Sequence, residues 1–164
     1  MKVVVPYIHG MLREQTRTEA HRQAYFKTWP VLLCDLDAAD TTAYYHLLAK
    51  LWTEADDFLI VEHDVVPPSG AFDEFTYCDG LVCSHPYVCG SRDPVIALGC
   101  TRFRKELMVE HPTVFERVGE LEPDMPKRHW KRLDTRLYWV LGELTVQAHR
   151  HDPPAQHLHP YPPL

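Results

Sequence analysis

The feature that most constrains this chain is an alternation, over its first third, of short, almost wholly apolar runs with helix-like segments. Residues 2–5 (KVVV), 31–34 (VLLC) and 58–61 (FLIV) show no apolar-polar alternation, which is the mark of strands buried on both faces of a sheet. Pro6 closes the first run, and Asp35-Leu36-Asp37 closes the second. Between the runs, Thr16-x-x-Glu19 resembles a capping box and predicts a helix to about Lys27, ended by Trp29-Pro30. Tyr44, Leu47, Leu48, Leu51 and Trp52 follow the i, i+3, i+4, i+7 spacing of a second helix starting at Thr41. A β-α-β-α-β order with unalternating strands predicts an α/β fold: a mostly parallel central sheet flanked by helices.

The rest of the chain is less regular. Residues 81–83 and 95–98 are strand candidates, and 102–110 reads as a short helix. Trp130, Leu133, Leu137, Leu141 and Leu144 mark a longer one. Five of the 14 prolines and four of the 11 histidines fall within residues 149–164. Prolines at that density predict a tail without regular structure, extended against the domain or loose. With 164 residues, the chain suits one domain, divided here as a folded body (1–148) and a His/Pro-rich tail (149–164). No apolar stretch approaches the roughly 18 residues of a membrane span, and MKVVVPYIHG lacks the layout of a signal peptide. A cytoplasmic protein is expected. Five cysteines without a CxxC pair are read as reduced thiols, and the spacing of Cys78, Cys83, His85 and Cys89 matches no usual zinc module. A net charge of −6 argues against gripping nucleic acid through bulk charge. The local exception is Lys127-Arg128-His129-Trp130-Lys131-Arg132, either a solvated helix start or a short-range phosphate contact.

In an open parallel sheet, ligands bind beyond the carboxyl ends of the strands. Two acidic clusters sit at such ends: Asp35 with Asp37, and Glu62-His63-Asp64. Glu62 and Asp64 are two residues apart, so in extended backbone their side chains point the same way. Carboxylates on one side suit a hard divalent ion such as Mn2+ or Mg2+.

At these residues the sequence resembles the GT-A nucleotide-sugar glycosyltransferases, in particular compact family-2-like and phage-type members. Residues 43–75 (AYYHLLAKLWTEADDFLIVEHDVVPPSGAFDEF) resemble that family's helix, apolar strand, DXD-like acidic triplet and prolines, with Glu62 in place of the first Asp. Residues 3–7 (VVVPY) resemble its first strand and Pro-Tyr turn, and residues 31–37 its second strand. Residues 96–105 (IALGCTRFRK) are similar to its glycine-led strand-to-helix segment, and residues 133–137 (LDTRL) partly match its catalytic-acid helix.

The resemblance implies a single Rossmann-like GT-A domain. It implies a metal-dependent glycosyltransferase that moves a sugar from a nucleotide-sugar donor to a hydroxyl acceptor, with a hydroxymethylated DNA base and a glycan both open as acceptors. Asp64 would ligate the metal, joined by a C-terminal histidine, His157 or His159, as the tail packs over the active site. Pro6, Tyr7, Asp35, Asp37 and Glu62 would bind the donor, with Asp35 or Asp37 on the nucleobase. Asp134 is the candidate general base. The family's Glu-Asp pair ahead of the catalytic helix is missing from this chain. Two other readings compete: a metal phosphohydrolase using the adjacent His63-Asp64, and a non-catalytic sugar-nucleotide-binding domain.

Overall fold

The computed structural model describes residues 1–88, 93–121 and 132–158. Strands β1 (Lys2–Ile8), β2 (Val31–Leu36) and β3 (Phe58–Val61) alternate with helices α1 (Glu14–Lys27) and α2 (Ala43–Glu54). β1 lies between the other two and pairs with both in parallel, Val4 matching Leu32 on one side and Ile60 on the other. Then follow β4 (Val65–Val66), α3 (Ala71–Tyr77), β5 (Val82–Ser84), β6 (Cys100–Phe103), α4 (Lys105–Glu110), α5 (Val114–Glu120), α6 (Leu133–Glu143), β7 (Ala148–Arg150) and β8 (Gln156–His157). The large sheet has the order β2-β1-β3-β6-β5-β7, and β4 pairs separately with β8. Within the large sheet only β6 is reversed, antiparallel to β3 and β5, while β7 runs parallel to β5. The sheet is therefore mostly parallel, as the alternation of runs predicts. No described helix is long and apolar enough to cross a membrane.

The two-sided burial behind the apolar runs is visible residue by residue. Val4, Phe58, Ile60 and Phe103 enter one core with α2, α4, α5 and α6. Their neighbours Val3, Val5, Leu59 and Val61 enter a second core with Ala20 and Ala24 of α1 and Phe72 and Phe75 of α3. Successive side chains on a strand point to opposite faces, so a strand covered on both sides is apolar throughout, as in β1 and β3, unless its polar groups are hydrogen-bonded, as buried Thr101 and Arg102 of β6 are.

Several expectations change on contact with the fold. β1 runs on through Pro6, which matches Cys34 of β2. The Val3 N–H donates toward β2, to Pro30 O at 2.9 Å. By alternation the donor missing at Pro6 belongs to the opposite side, where pairing with β3 has already ended at Val4; proline costs no ladder bond there. The capping box does not form. α1 starts at Glu14, Thr16 is buried within it, and Glu19 instead accepts from Arg22 and Gln23. β2 is an edge strand, so Leu32 and Leu33 stay 42% and 38% exposed. Val95 forms only an isolated bridge to Tyr87, and the strand in this region is β6, which takes in Arg102 from the expected helix.

The tail also departs from expectation, because β7 and β8 are regular strands on either side of the prolines. Proline excludes itself from a ladder only where its own N–H is required, and Pro153 and Pro154 fall between the two pairings. The division drawn between residues 148 and 149 falls inside β7. The reading of separate reduced thiols does not hold for Cys78 and Cys83, whose sulfurs are joined, with Cα atoms 7.1 Å apart. Cys34 and Cys100 are free.

Candidate functional site

The carboxyl ends of β1, β2 and β3 open onto a cleft of about 340 Å3, within the range of small-ligand sites. Pro6 and Tyr7 end the β1 wall, Asp37 and Asp40 follow β2, and Tyr44 projects from α2. Glu62, His63 and Asp64 form the turn after β3. That turn is held by the backbone, Glu62 donating to Gly99 O at 2.9 Å and Val65 donating to Glu62 O at 3.0 Å. Apolar Ile8, Met11, Leu36, Ala38 and Ala43 complete the walls, so the polar groups act where water is partly excluded.

The tail supplies the last wall. β8 pairs with β4, Val65 matching His157, and Leu158 N–H donates to Asp64 O at 2.7 Å. His157 Nε2 thereby stands 3.2 Å from Asp64 Oδ2, and the His157 ring packs on Tyr87 at 4.9 Å between centroids. Gly99 makes room for that arrangement: a Cβ there would overlap the Tyr87 ring and lie 2.9 Å from Val65.

The two carboxyls of the turn differ in character. Burial pushes Glu62 up to about 7, against the opposing pull of a hydrogen bond from Tyr44, whose hydroxyl lies 3.0 Å from Oε1. Burial would also raise Asp64, but the hydrogen bond to His157 and the attraction of His63 and His157 outweigh it and hold that carboxyl below its ordinary range. Burial lowers His63, and Asp64 alone pulls it back. A carboxylate beside two imidazoles is thus kept ionised while its neighbour two residues earlier readily holds a proton.

The structure brings Pro6, Tyr7, Asp37, Glu62, Asp64 and His157 together around one cleft. Asp35 does not line it and pairs with His9, Oδ2 to Nδ1 at 3.0 Å. Asp37 also organises its own loop, accepting from Ala39 N–H at 2.8 Å. Asp134 sits in the first turn of α6, where Oδ1 accepts from Thr135 N–H at 2.7 Å. It is absent from the cleft walls, yet its charge raises Glu62, Tyr44 and Tyr138, which puts it at the same end of the sheet. His159 and residues 127–131 of the basic cluster lie outside the described residues.

Tyr44 and Tyr87 are site residues that the sequence pattern did not single out for the site. Tyr44 belongs to the same helical stripe as the core residues Leu48 and Leu51, so periodicity alone reads it as packing. Its difference is position, in the first turn of α2 beside the strand ends.

Around Asp64, no three donor atoms of the described residues lie within 4.8 Å of one another. Two protein donors, Asp64 and His157, fit an ion of the Mg2+ or Mn2+ kind, which keeps several waters and takes the rest of its shell from substrate phosphates. A closed, all-protein cage would fit such an ion less well.

No family model and no curated protein sequence matches the chain. Solved structures do. A glycosyltransferase involved in glycosylation of the major capsid of PBCV-1 matches with a TM-score of 0.59 at 12% identity, over 99% of this chain and 95% of that one. The fold is the GT-A-like glycosyltransferase fold. Protein A197 of STIV matches with a TM-score of 0.51 at 11% identity, over 93% of this chain and 82% of that one. A Bacillus anthracis protein described as a glucose-1-phosphate thymidylyltransferase, in complex with sucrose, also matches with a TM-score of 0.51, at 10% identity, over 93% and 87% of the two chains. Identities this low speak for the fold, and the residues of the cleft must carry the chemistry.

Proposed function

We propose that this chain transfers a sugar from a nucleotide-sugar donor to a hydroxyl acceptor, with Mn2+ or Mg2+ held at Asp64. The observation that carries this reading is the Asp64–His157 pair, 3.2 Å apart at the mouth of the strand-end cleft. Two structural neighbours, one described as a glycosyltransferase and one as a glucose-1-phosphate thymidylyltransferase, agree with it. The fold gives no support to the phosphohydrolase alternative, because His63-Asp64 follows a strand of a mostly parallel sheet instead of lying among helices.

When bound, the ion would offset the charge that develops on the departing diphosphate. Asp64 and His157 would hold it, and the ionised state of Asp64 suits that task. Asp37, which lines the cleft together with Pro6 and Tyr7, would accept from a base N–H at the nucleoside end of the donor. Glu62, raised to about 7 by burial and anchored by Tyr44, would donate or accept at a donor hydroxyl without adding a second full charge beside Asp64. Asp134 is assigned as the base that takes the acceptor proton, the group whose charge already reaches Glu62 and Tyr44. A general base must stand within hydrogen-bond reach of the attacking oxygen in the loaded complex.

The test is release of nucleoside diphosphate from a panel of nucleotide sugars with Mn2+ present. Asp64→Asn should lower turnover by roughly a thousandfold with the circular-dichroism spectrum unchanged, and EDTA should abolish it. Full activity in either case overturns the metal reading. Donor binding with no release in any acceptor mixture would leave a sugar-nucleotide-binding domain.

A further inference from the structure

A second cluster of metal-ligating side chains lies away from the cleft, at the opposite edge of the sheet. Cys78 ends α3, Cys83 lies in β5, His149 lies in β7, and His151 directly follows it. One donor atom from each comes within 4.8 Å of the other three. Cys78 and Cys83 are a C-x4-C pair, and His149-x-His151 places two imidazoles on one side of an extended strand. Two sulfurs and two ring nitrogens converging from two segments form the donor set of a closed tetrahedral Zn2+ site. We propose that in the reduced chain Cys78, Cys83, His149 and His151 bind one structural Zn2+.

Three further observations support this assignment. First, His151 Nδ1 lies 3.1 Å from Glu74 Oε2, while its Nε2 is buried with no hydrogen-bond partner among the described residues. A carboxylate on one ring nitrogen fixes the tautomer that leaves the other nitrogen's lone pair for a metal. Second, the surroundings favour thiolates. The guanidinium of buried Arg102 donates to Cys83 Sγ at 2.9 Å and to the Phe75 and Cys78 carbonyls, and Arg104 donates to Cys78 O at 2.8 Å. Cations beside a cysteine stabilise its deprotonated form. Third, Gly80 lets the loop close over the cluster, since a Cβ there would lie 3.1 Å from both Cys83 Sγ and His149 Cβ. The joined form of Cys78 and Cys83 spans 7.1 Å between Cα atoms, at the edge of what a disulfide bridges comfortably. A zinc ion seated between two sulfurs accommodates that spacing.

The site would clip the α3–β5 loop to the strand from which the tail departs. From His151 the chain runs only to Gln156 before β8 lays His157 against Asp64. The metal would therefore fix the base of the segment that closes the cleft. This proposal does not depend on the donor chemistry.

The full chain, produced with zinc in the medium and purified with a reductant, should carry one zinc by elemental analysis. Asp64→Asn should keep it, and Cys83→Ser and His151→Gln should lose it. Refolding with Co2+ in its place should give sulfur-to-cobalt charge-transfer bands and the intense visible bands of a tetrahedral ion, a readout that needs no variant to fold. Chelation should lower the thermal midpoint by roughly 10 °C. Reduced, folded protein free of zinc and silent to Co2+ would overturn the proposal. So would zinc that disappears in Asp64→Asn, or a purified chain whose intact mass is lighter by two hydrogens even after reductant is present throughout.

Discussion

The two halves of this molecule are built by different rules. The ends of β1 through β3, the start of α2 and the loops between them line most of the cleft, and the three strands run parallel. The second half reverses direction at β6, returns through β5 and closes with β7 and β8, so its contacts span long stretches of chain. His157 and Asp64 are 93 residues apart in sequence. The first half is a scaffold of parallel strands; the second, in nine mostly shorter elements among the described residues, supplies α3 to α6 to the two cores that cover those strands and brings the groups that close the site. A site assembled this way can lose its function through the tail while keeping its core.

The largest effect should come from the scaffold. Leu59→Ala removes a fully buried side chain from β3 and should cost about 2–5 kcal/mol of folding stability. Leu32→Ala, on the exposed edge strand β2, should change it by about 0.5 kcal/mol or less. Denaturant titration of both variants checks this, and equal losses would break the distinction between central and edge strands.

The tail should show the converse. His157→Ala leaves both hydrophobic cores intact, since His157 belongs to neither, and should lower transfer by roughly a hundredfold with the denaturation midpoint little changed. If the tail also shields the donor, a larger share of the remaining turnover should be hydrolysis, read as sugar released without acceptor. A variant that transfers normally would make β8 a structural edge only.

The smallest effect separates two carboxylates of one strand end. Asp37 lines the cleft, whereas Asp35 pairs with His9 outside it. Asp37→Ala should raise the donor KM by about tenfold with kcat nearly constant, and Asp35→Ala should leave KM within about twofold. Steady-state kinetics with varied donor decides it, and the reverse order would move the nucleobase to the other side of β2.

The sequence by itself determined the scaffold. Val3–Val5 and Phe58–Val61 are apolar at every position because each is covered on both faces, and that property is local enough to be read from the residues alone. It also marked Glu62-His63-Asp64 and Asp37 as strand-end groups, since the position of an acidic cluster after an apolar run follows from the same local pattern. Tertiary structure alone decided the rest. It took Thr16 out of a cap and into the interior, and it let β1 pass through Pro6 because the neighbour on that side had ended. It separated Asp35 from Asp37, raised Glu62 through burial, and set His157 rather than bulk solvent beside Asp64. It also gathered Cys78 and Cys83 with His149 and His151, from segments more than 60 residues apart. Periodicity reports which face of a segment is buried. It carries no information on which distant segment arrives to cover it, because that choice is made by the packing of the whole chain.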